Sequence, residues 1–329
     1  YQAFGGTYVQ REAATHFLAR RGVFVEPERL CICPGTHLAF QAVLQVLAQP
    51  GDTIFCEALT YPGIKAIAGR MGLKLVGIPI DEEGIEADAF ARACQLDPPK
   101  ALYLNPTLLN PTTSTTPERR RQKIIDIARQ HGVAIIEDDA YGALLNRPPP
   151  AFVSLAPDIT YYVASLSKCI GAGLRIAYLV APDQRHLWPV TSILRTASVM
   201  ASPLTVALST QWIEDGTADQ IVAAIRKEAV ARQKLARDIL PKGSYVAHPE
   251  GFHLWMALPP PWQRSAFAAR MRASDMSVVV SDAFTVSDAP IEAARISLGG
   301  VLSRAEVRTA LEFLAHILEN ETHNGPEFA

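Results

Sequence analysis

The chain has 329 residues, of which 49% are hydrophobic and 19% charged, and a formal net charge of −2. That length suits about two domains with a sizeable buried core, and the composition excludes a disordered chain. The balanced charge gives no support for nucleic-acid contact by this segment, which would carry a basic excess. No apolar run reaches the about 18 residues of a membrane span, and no signal peptide is visible. The five cysteines are scattered rather than set in a disulfide framework, which points to a reducing cytoplasm. Cys31 and Cys33 lie two apart on an expected strand and are placed on opposite faces. No second Cys/His pair completes a zinc set, so no metal is expected. The chain starts at Tyr1 rather than Met, and reads as a piece of a longer gene product.

Phe4-Gly5-Gly6-Thr7 opens as a turn. A helix follows, with Ala13, Phe17 and Leu18 on its apolar face and Gly22 as its stop. Leu30 to Cys33 reads as a short strand, and Pro34-Gly35-Thr36 turns into a largely buried helix to Ala48. Thr53–Cys56 and Lys74–Ile78 read as strands around a helix from Gly63 to Met71. Ala101–Leu104 is another strand, followed by the Pro/Thr-rich loop 105–116. A helix then runs to His131, with Thr116 as N-cap, Pro117 at its first position and Gly132 just past its end. Val133–Ile136, Thr160–Ala164 and Ile176–Ala181 complete seven strand candidates. Strands alternating with helices predict an α/β fold with a seven-stranded, mostly parallel sheet. The composition shifts after about residue 205. A long amphipathic helix over Ala218–Leu240, strands at Tyr245–Ala247, Phe252–Ala257, Ser277–Val280 and Ala294–Ser297, and two further helices predict a smaller α+β domain. The last helix opens on the capping box Ser303-x-x-Glu306.

Ligands of parallel sheets bind beyond the carboxyl ends of the strands. At those ends stand Gly35-Thr36-His37 at a helix N-terminus, Glu57 and Tyr61, the loop from Asn105 to Thr112, Glu137-Asp138-Asp139 with Tyr141, and the turn Ser165-Leu166-Ser167-Lys168. That turn continues through Gly171-Ala172-Gly173-Leu174-Arg175. An anion cradle, an aromatic plate, an amide, a carboxylate, a phenol and a lysine share one sheet edge. Those parts fit an aromatic, phosphorylated aldehyde cofactor whose ring nitrogen needs a carboxylate, which describes pyridoxal 5′-phosphate.

With Ser165-x-Ser167-Lys168, Gly173-Leu174-Arg175, Asp138-x-x-Tyr141 and Asn110-Pro111-Thr112 in that order, the chain resembles the fold-type I PLP enzymes, the class I/II aminotransferase superfamily. It looks most like the aminotransferase-like domain of MocR-type, GntR-family transcription regulators. The resemblance implies a PLP-binding large domain over 1–205, its segment 1–28 partly associated with a small domain over 206–329. It implies that Lys168 bonds to the cofactor aldehyde as the internal aldimine and then shuttles a proton. Asp138 would hold the ring nitrogen protonated, Asn110 and Tyr141 would hydrogen-bond the phenolic oxygen, and Tyr61 would stack on the ring. Gly35, Thr36, His37, Ser165, Ser167 and Arg175 would hold the cofactor and its phosphate, and Arg295 would clamp the substrate α-carboxylate beside Asn110. Tyr1 stands where the family has a tyrosine reaching the partner's phosphate, so a homodimer with shared sites is implied.

The chain departs from the family pattern in places. Thr113 replaces a glycine in the Asn-Pro-Thr turn and implies a different turn; Ala172 stands for a proline, and His37 for a glutamine or small residue. Gly251-Phe252-His253-Leu254 resembles a strand of the regulator branch. Three readings follow: an aminotransferase acting on an amino acid and a 2-oxo acid, the PLP-binding effector domain of a MocR-type regulator, or a PLP-dependent lyase or decarboxylase.

Overall fold

In the computed structural model, which describes residues 3–286 and 289–320, helix α1 (Tyr8–Ala19) opens on a capping box made by Thr7 and Gln10. In chain order follow β1 (Leu30–Cys33), α2 (Thr36–Leu47), β2 (Thr53–Glu57), α3 (Pro62–Arg70) and β3 (Lys74–Ile78). A two-stranded ladder, β4 (Ile80–Asp81) and β5 (Gly84–Ile85), leads to α4 (Ala87–Leu96), β6 (Ala101–Leu104) and α5 (Glu118–His131). Next come β7 (Ala134–Asp139), α6 (Phe152–Leu155), β8 (Thr160–Ser165), β9 (Ala177–Val180), α7 (Gln184–Ser198) and α8 (Pro203–Glu214). The long α9 (Thr217–Ile239) precedes β10 (Tyr245–Val246), β11 (His253–Ala257), α10 (Arg264–Arg272), β12 (Val279–Val280), β13 (Ala293–Ser297) and α11 (Arg304–Asn320).

Among the described residues, seven strands form the large sheet, in the order β1-β9-β8-β7-β6-β2-β3. Every neighbouring pair is parallel except those made by β9, which runs against both β1 and β8. The central strands β6 and β8 are buried along their whole length, as strands covered on both faces must be. Edge strand β3 alternates between exposed and covered positions.

The alternation of the strands sorts the core into two layers. One face carries Cys31, Cys33, Ile54, Tyr103, Ile136, Val163 and Leu179 against α2, α3 and α7. The other carries Ile32, Tyr162 and Tyr178 against α1 and α8, and Phe55, Leu102 and Ile135 against α4, α5 and α6. Cys31 and Cys33 therefore share a face, with sulfurs 4.0 Å apart, contrary to expectation. Strand side chains repeat every two residues, so positions i and i+2 cannot oppose each other.

A second sheet, ordered β10-β11-β13-β12, is antiparallel throughout. Leu254, Met256, Ala294 and Ile296 turn to one face and pack with α9, α10 and α11. Register then sends His253, Trp255 and Arg295 to the other face, where Trp255 meets Phe284 edge-on. The bridge between Leu59 and Thr285 ties this region to the loop after β2. Lys65 secures the same junction by donating to the carbonyls of Asp282, Ala283 and Thr285.

Several boundaries move from expectation. Helix α5 starts at Glu118 with Pro117 as N-cap, one residue later than read, and closes on Gly132 in the left-handed conformation (φ 66°). Strand β7 extends to Asp139, because parallel pairing with β8 continues through Asp138 and Asp139. The sequence reading omits α4, α7 and α8: the buried positions of α4 are mostly small, and Pro189 interrupts the pattern of α7. The Ser303–Glu306 capping box is present.

Candidate active site

Register places the expected site residues on one edge. Cys33 pairs with Ala177, and Ala177 with Ser165, so Gly35, Arg175 and the lysine turn emerge side by side. Gly35 is the N-cap of α2 at φ 94°, a conformation suited to glycine. A Cβ there would lie 2.7 Å from Arg175 Nη2, so the bare backbone is what lets the guanidinium approach the helix N-terminus. Thr36 and His37 form the first turn of α2, whose free N–H groups favour an anion. Burial, then the charge of Arg175, lowers the His37 pKa, favouring the neutral ring that shares a 2.7 Å hydrogen bond with the Tyr61 hydroxyl. Tyr61 is the N-cap of α3, and Gly63 leaves room for its ring and for His37. Ser165 Oγ accepts from Ser167 N at 3.1 Å and shapes the turn that presents Lys168.

Three consecutive carboxylates end β7, and strand alternation decides their fates. Glu137 and Asp139 turn to the face of α1, α5 and α6. There Glu137 pairs with Arg121 at 3.2 Å, and Asp139 with Arg21 at 2.8 Å, all four side chains buried. Tyr162 also donates to Asp139. Asp138 turns to the opposite face and makes no ion pair with an arginine among the described residues. Its Oδ2 accepts from the Tyr103 hydroxyl at 2.6 Å, and its buried Oδ1 has no hydrogen-bond partner among the described residues. Burial pushes the Asp138 pKa up to about 7, against the pull of Tyr103, the Ala140 backbone N–H and Lys168. The unpartnered Oδ1 calls for a buried cation or donor.

Asn105 fixes the loops around this carboxylate. Its side-chain amide donates to the Asp138 carbonyl at 2.7 Å, its Oδ1 accepts from Asn110 N at 2.9 Å, and its own N–H donates to Glu57 at 2.6 Å. Glu57 is fully enclosed, and burial raises its pKa to about 7. Arg121 braces the same loop from behind, donating to the carbonyls of Thr116 and Pro106 and to the Thr107 hydroxyl. Thr113 adopts φ 65°, so the turn keeps the left-handed geometry that a glycine would favour, contrary to the expected change of turn.

From the second sheet Arg295 reaches the same place. Its Nη1 donates to Asn110 Oδ1 at 2.7 Å, its guanidinium lies over the Phe284 ring, and its Nε has no partner among the described residues. Lys168 is exposed, yet partial desolvation lowers its pKa; Arg295 lowers it further and Asp138 opposes both. The Tyr141 pKa is raised by burial, and its ring packs edge-on against Phe252 and tilted against His253. Buried His253 has an unpartnered Nε2; burial and the charge of Arg295 hold its pKa at about 3. Tyr1 lies outside the described residues.

Tyr103, Glu57 and Asn105 were given no role from sequence. Tyr103 sits within an apolar strand run and reads as core; its one signal is a hydroxyl on the face that carries Asp138.

A lysine, a carboxylate with one bare oxygen, an anion cradle and an aromatic plate at the carboxyl edge of a mostly parallel sheet define a fold and site that fit pyridoxal 5′-phosphate. The unpartnered Asp138 Oδ1 suits a protonated ring nitrogen, and the Gly35–Arg175 cradle suits a phosphate. Residues 1–314 match the model of the aminotransferase class I and II family, and the chain belongs to it. It is 28% identical over 323 residues to an uncharacterized HTH-type transcriptional regulator, YdeF, of Bacillus subtilis, covering 98% of this chain and 70% of that protein. It is 27% identical over 245 residues to a 2-aminoadipate transaminase of Thermus thermophilus, covering 71% of this chain and 62% of the relative. Another HTH-type regulator, YjiR of Escherichia coli, is 27% identical, and the chain spans 63% of its length. The fold is that of the Thermus thermophilus α-aminoadipate aminotransferase LysN, whose structure was solved with N-(5′-phosphopyridoxyl)-L-leucine. The TM-score is 0.87 at 24% identity, over 97% of this chain and 83% of that one. No helix among the described residues is long and apolar enough to cross a membrane.

Proposed function

We propose that this chain is a PLP-dependent aminotransferase unit of class I/II, moving an amino group between an amino acid and a 2-oxo acid. The observation that carries the reading is the pairing, at one sheet edge, of a lysine of lowered pKa with a buried carboxylate holding one bare oxygen. Bound pyridoxal 5′-phosphate would supply an aldehyde for Lys168 and an electron sink for the substrate's Cα electrons. Gly35, Thr36, His37, Ser165, Ser167 and Arg175 would hold the phosphate end. Asp138 would face the ring nitrogen, Tyr61 would stack on the ring, and Asn110 and Tyr141 would hold its phenolic oxygen. Arg295, oriented by Asn110, binds the substrate α-carboxylate through its remaining donors. Lys168 Nζ would take the substrate Cα proton and return it on the cofactor side, a role that suits an amine whose pKa is lowered. The large unit spans 1–205 and the small one 206–329. The working form is a homodimer in the cytoplasm, in line with five unpaired cysteines.

A second reading is favoured by the relatives named as HTH-type regulators, several of which match most of this chain. In that reading the same site binds the cofactor and an amino acid as an effector module. Loading the protein with pyridoxal 5′-phosphate and adding an amino-acid panel separates the two. Release of the matching 2-oxo acid supports transfer. A ligand that changes the absorption and stays bound, with no 2-oxo acid, overturns it in favour of sensing.

A further inference from the structure

Asp138 is served by a partner that no sequence motif marks. Tyr103 and Asp138 stand on adjacent strands, with Tyr103 paired to Ile136, so the two side chains are diagonal neighbours on one face. The phenol is fully buried and packs edge-on against Phe40. Its hydroxyl reaches Oδ2 at 2.6 Å, the short distance of a bond to a carboxylate. Oδ1 has no partner. One oxygen is thus committed to a side chain, and the other accepts no hydrogen bond of good geometry among the described residues, with the Ala140 N–H close enough to the carboxylate to favour its charge.

We infer that Tyr103 is a positioning residue for the cofactor: its hydroxyl locks the Asp138 carboxylate in one rotamer and leaves a single oxygen, Oδ1, for the ring nitrogen. The inference rests on the proposed function. It is a role exerted through Asp138, since the hydroxyl is already committed to Oδ2. The other titratable groups that act on Asp138 are Asp139 and Lys168, and those that feel its charge are Glu57, Tyr61 and Tyr141. Tyr103, the Ala140 backbone N–H and Lys168 favour its ionised form, while burial and Asp139 oppose it. Removing the phenol hydroxyl therefore makes the carboxyl take up its proton at higher pH. A neutral carboxyl no longer pairs with a cationic ring.

The test titrates cofactor-free protein with pyridoxal 5′-phosphate across pH. It compares wild type, Tyr103→Phe, Asp138→Asn and the double variant. Phenylalanine keeps the ring packed on Phe40. The expected Tyr103→Phe result is cofactor affinity lower by about 10- to 100-fold, the weight of one hydrogen bond to a buried charge. The acid limb of cofactor retention moves up in pH, a change that a packing role alone would not produce. On the Asp138→Asn background the same change has little further effect. If Tyr103→Phe fails to fold, 3-fluorotyrosine in place of Tyr103 keeps the shape with a stronger donor, and the acid limb moves down instead. The inference is overturned by unchanged affinity and an unmoved acid limb, or by an equal loss on both backgrounds. A wild-type chain that takes up no cofactor sinks the proposed function and this inference together, whereas failure confined to the variants leaves the function standing.

Discussion

Replacing Arg295 tests how the second sheet completes the site. The guanidinium is held on two sides, by Asn110 Oδ1 at 2.7 Å and by the Phe284 ring 5.2 Å beneath its centre, and its Nε is bare. A fork oriented in this way presents its remaining N–H groups to a carboxylate. Arg295→Gln removes the charge and the fork, and losing one partner of a desolvated charge pair costs about 2–5 kcal/mol. That corresponds to a fall in amino-acid affinity of roughly 30- to 4,000-fold. Arg295→Lys keeps the charge without the fork, and falls between the two. The Arg295 charge also lowers the Lys168 pKa, so the glutamine variant lets that pKa rise. The assay is a spectral titration of cofactor-loaded protein with an amino acid, repeated across pH. The predicted pattern is weakened amino-acid binding and cofactor affinity within a few-fold of wild type, with the free Lys168 amine of cofactor-free protein titrating at higher pH. Amino-acid affinity within about twofold of wild type would refute the assignment.

Two further predictions follow from backbone strain and from buried charge. Thr113 is a β-branched residue at φ 65°, so Thr113→Gly is expected to raise stability by about 1 kcal/mol in chemical denaturation; a loss of stability would show that its buried methyl matters more. Asp138 has its pKa raised from 3.8 to about 7. The unfolded chain releases that proton first, so cofactor-free protein loses stability as pH rises from about 4 to about 7, by up to ~4 kcal/mol from this group. Asp138→Asn removes its share of the slope, and identical slopes for the two proteins would falsify the shift.

Much of the fold could be read from sequence because continuous apolar runs such as Ala101–Leu104 and Thr160–Ala164 are what doubly covered strands require. The end of β7 could not: Glu137-Asp138-Asp139 reads as a polar loop until Arg121 and Arg21 are seen to neutralise two of the three. Those arginines lie 16 and 118 residues away in sequence, a pairing that no local pattern encodes. The motif residues Lys168, Asp138 and Asn110 were legible because their types and order are unusual at strand ends. Tyr103 and Asn105 were not, since a tyrosine in an apolar strand and an asparagine before proline fit ordinary packing and turns. The error over Cys31 and Cys33 was one of strand parity. That over Thr113 came from treating a preference for glycine as a requirement.

The central claim is that Lys168 is the amine that bonds to pyridoxal 5′-phosphate. Protein incubated with the cofactor, reduced with borohydride and digested should carry the phosphopyridoxyl mass on the peptide containing Lys168, and on Lys168 itself after fragmentation. Lys168→Ala should lose that adduct while Lys65→Ala keeps it. An adduct on another lysine, or labelling unchanged in Lys168→Ala, would contradict the account.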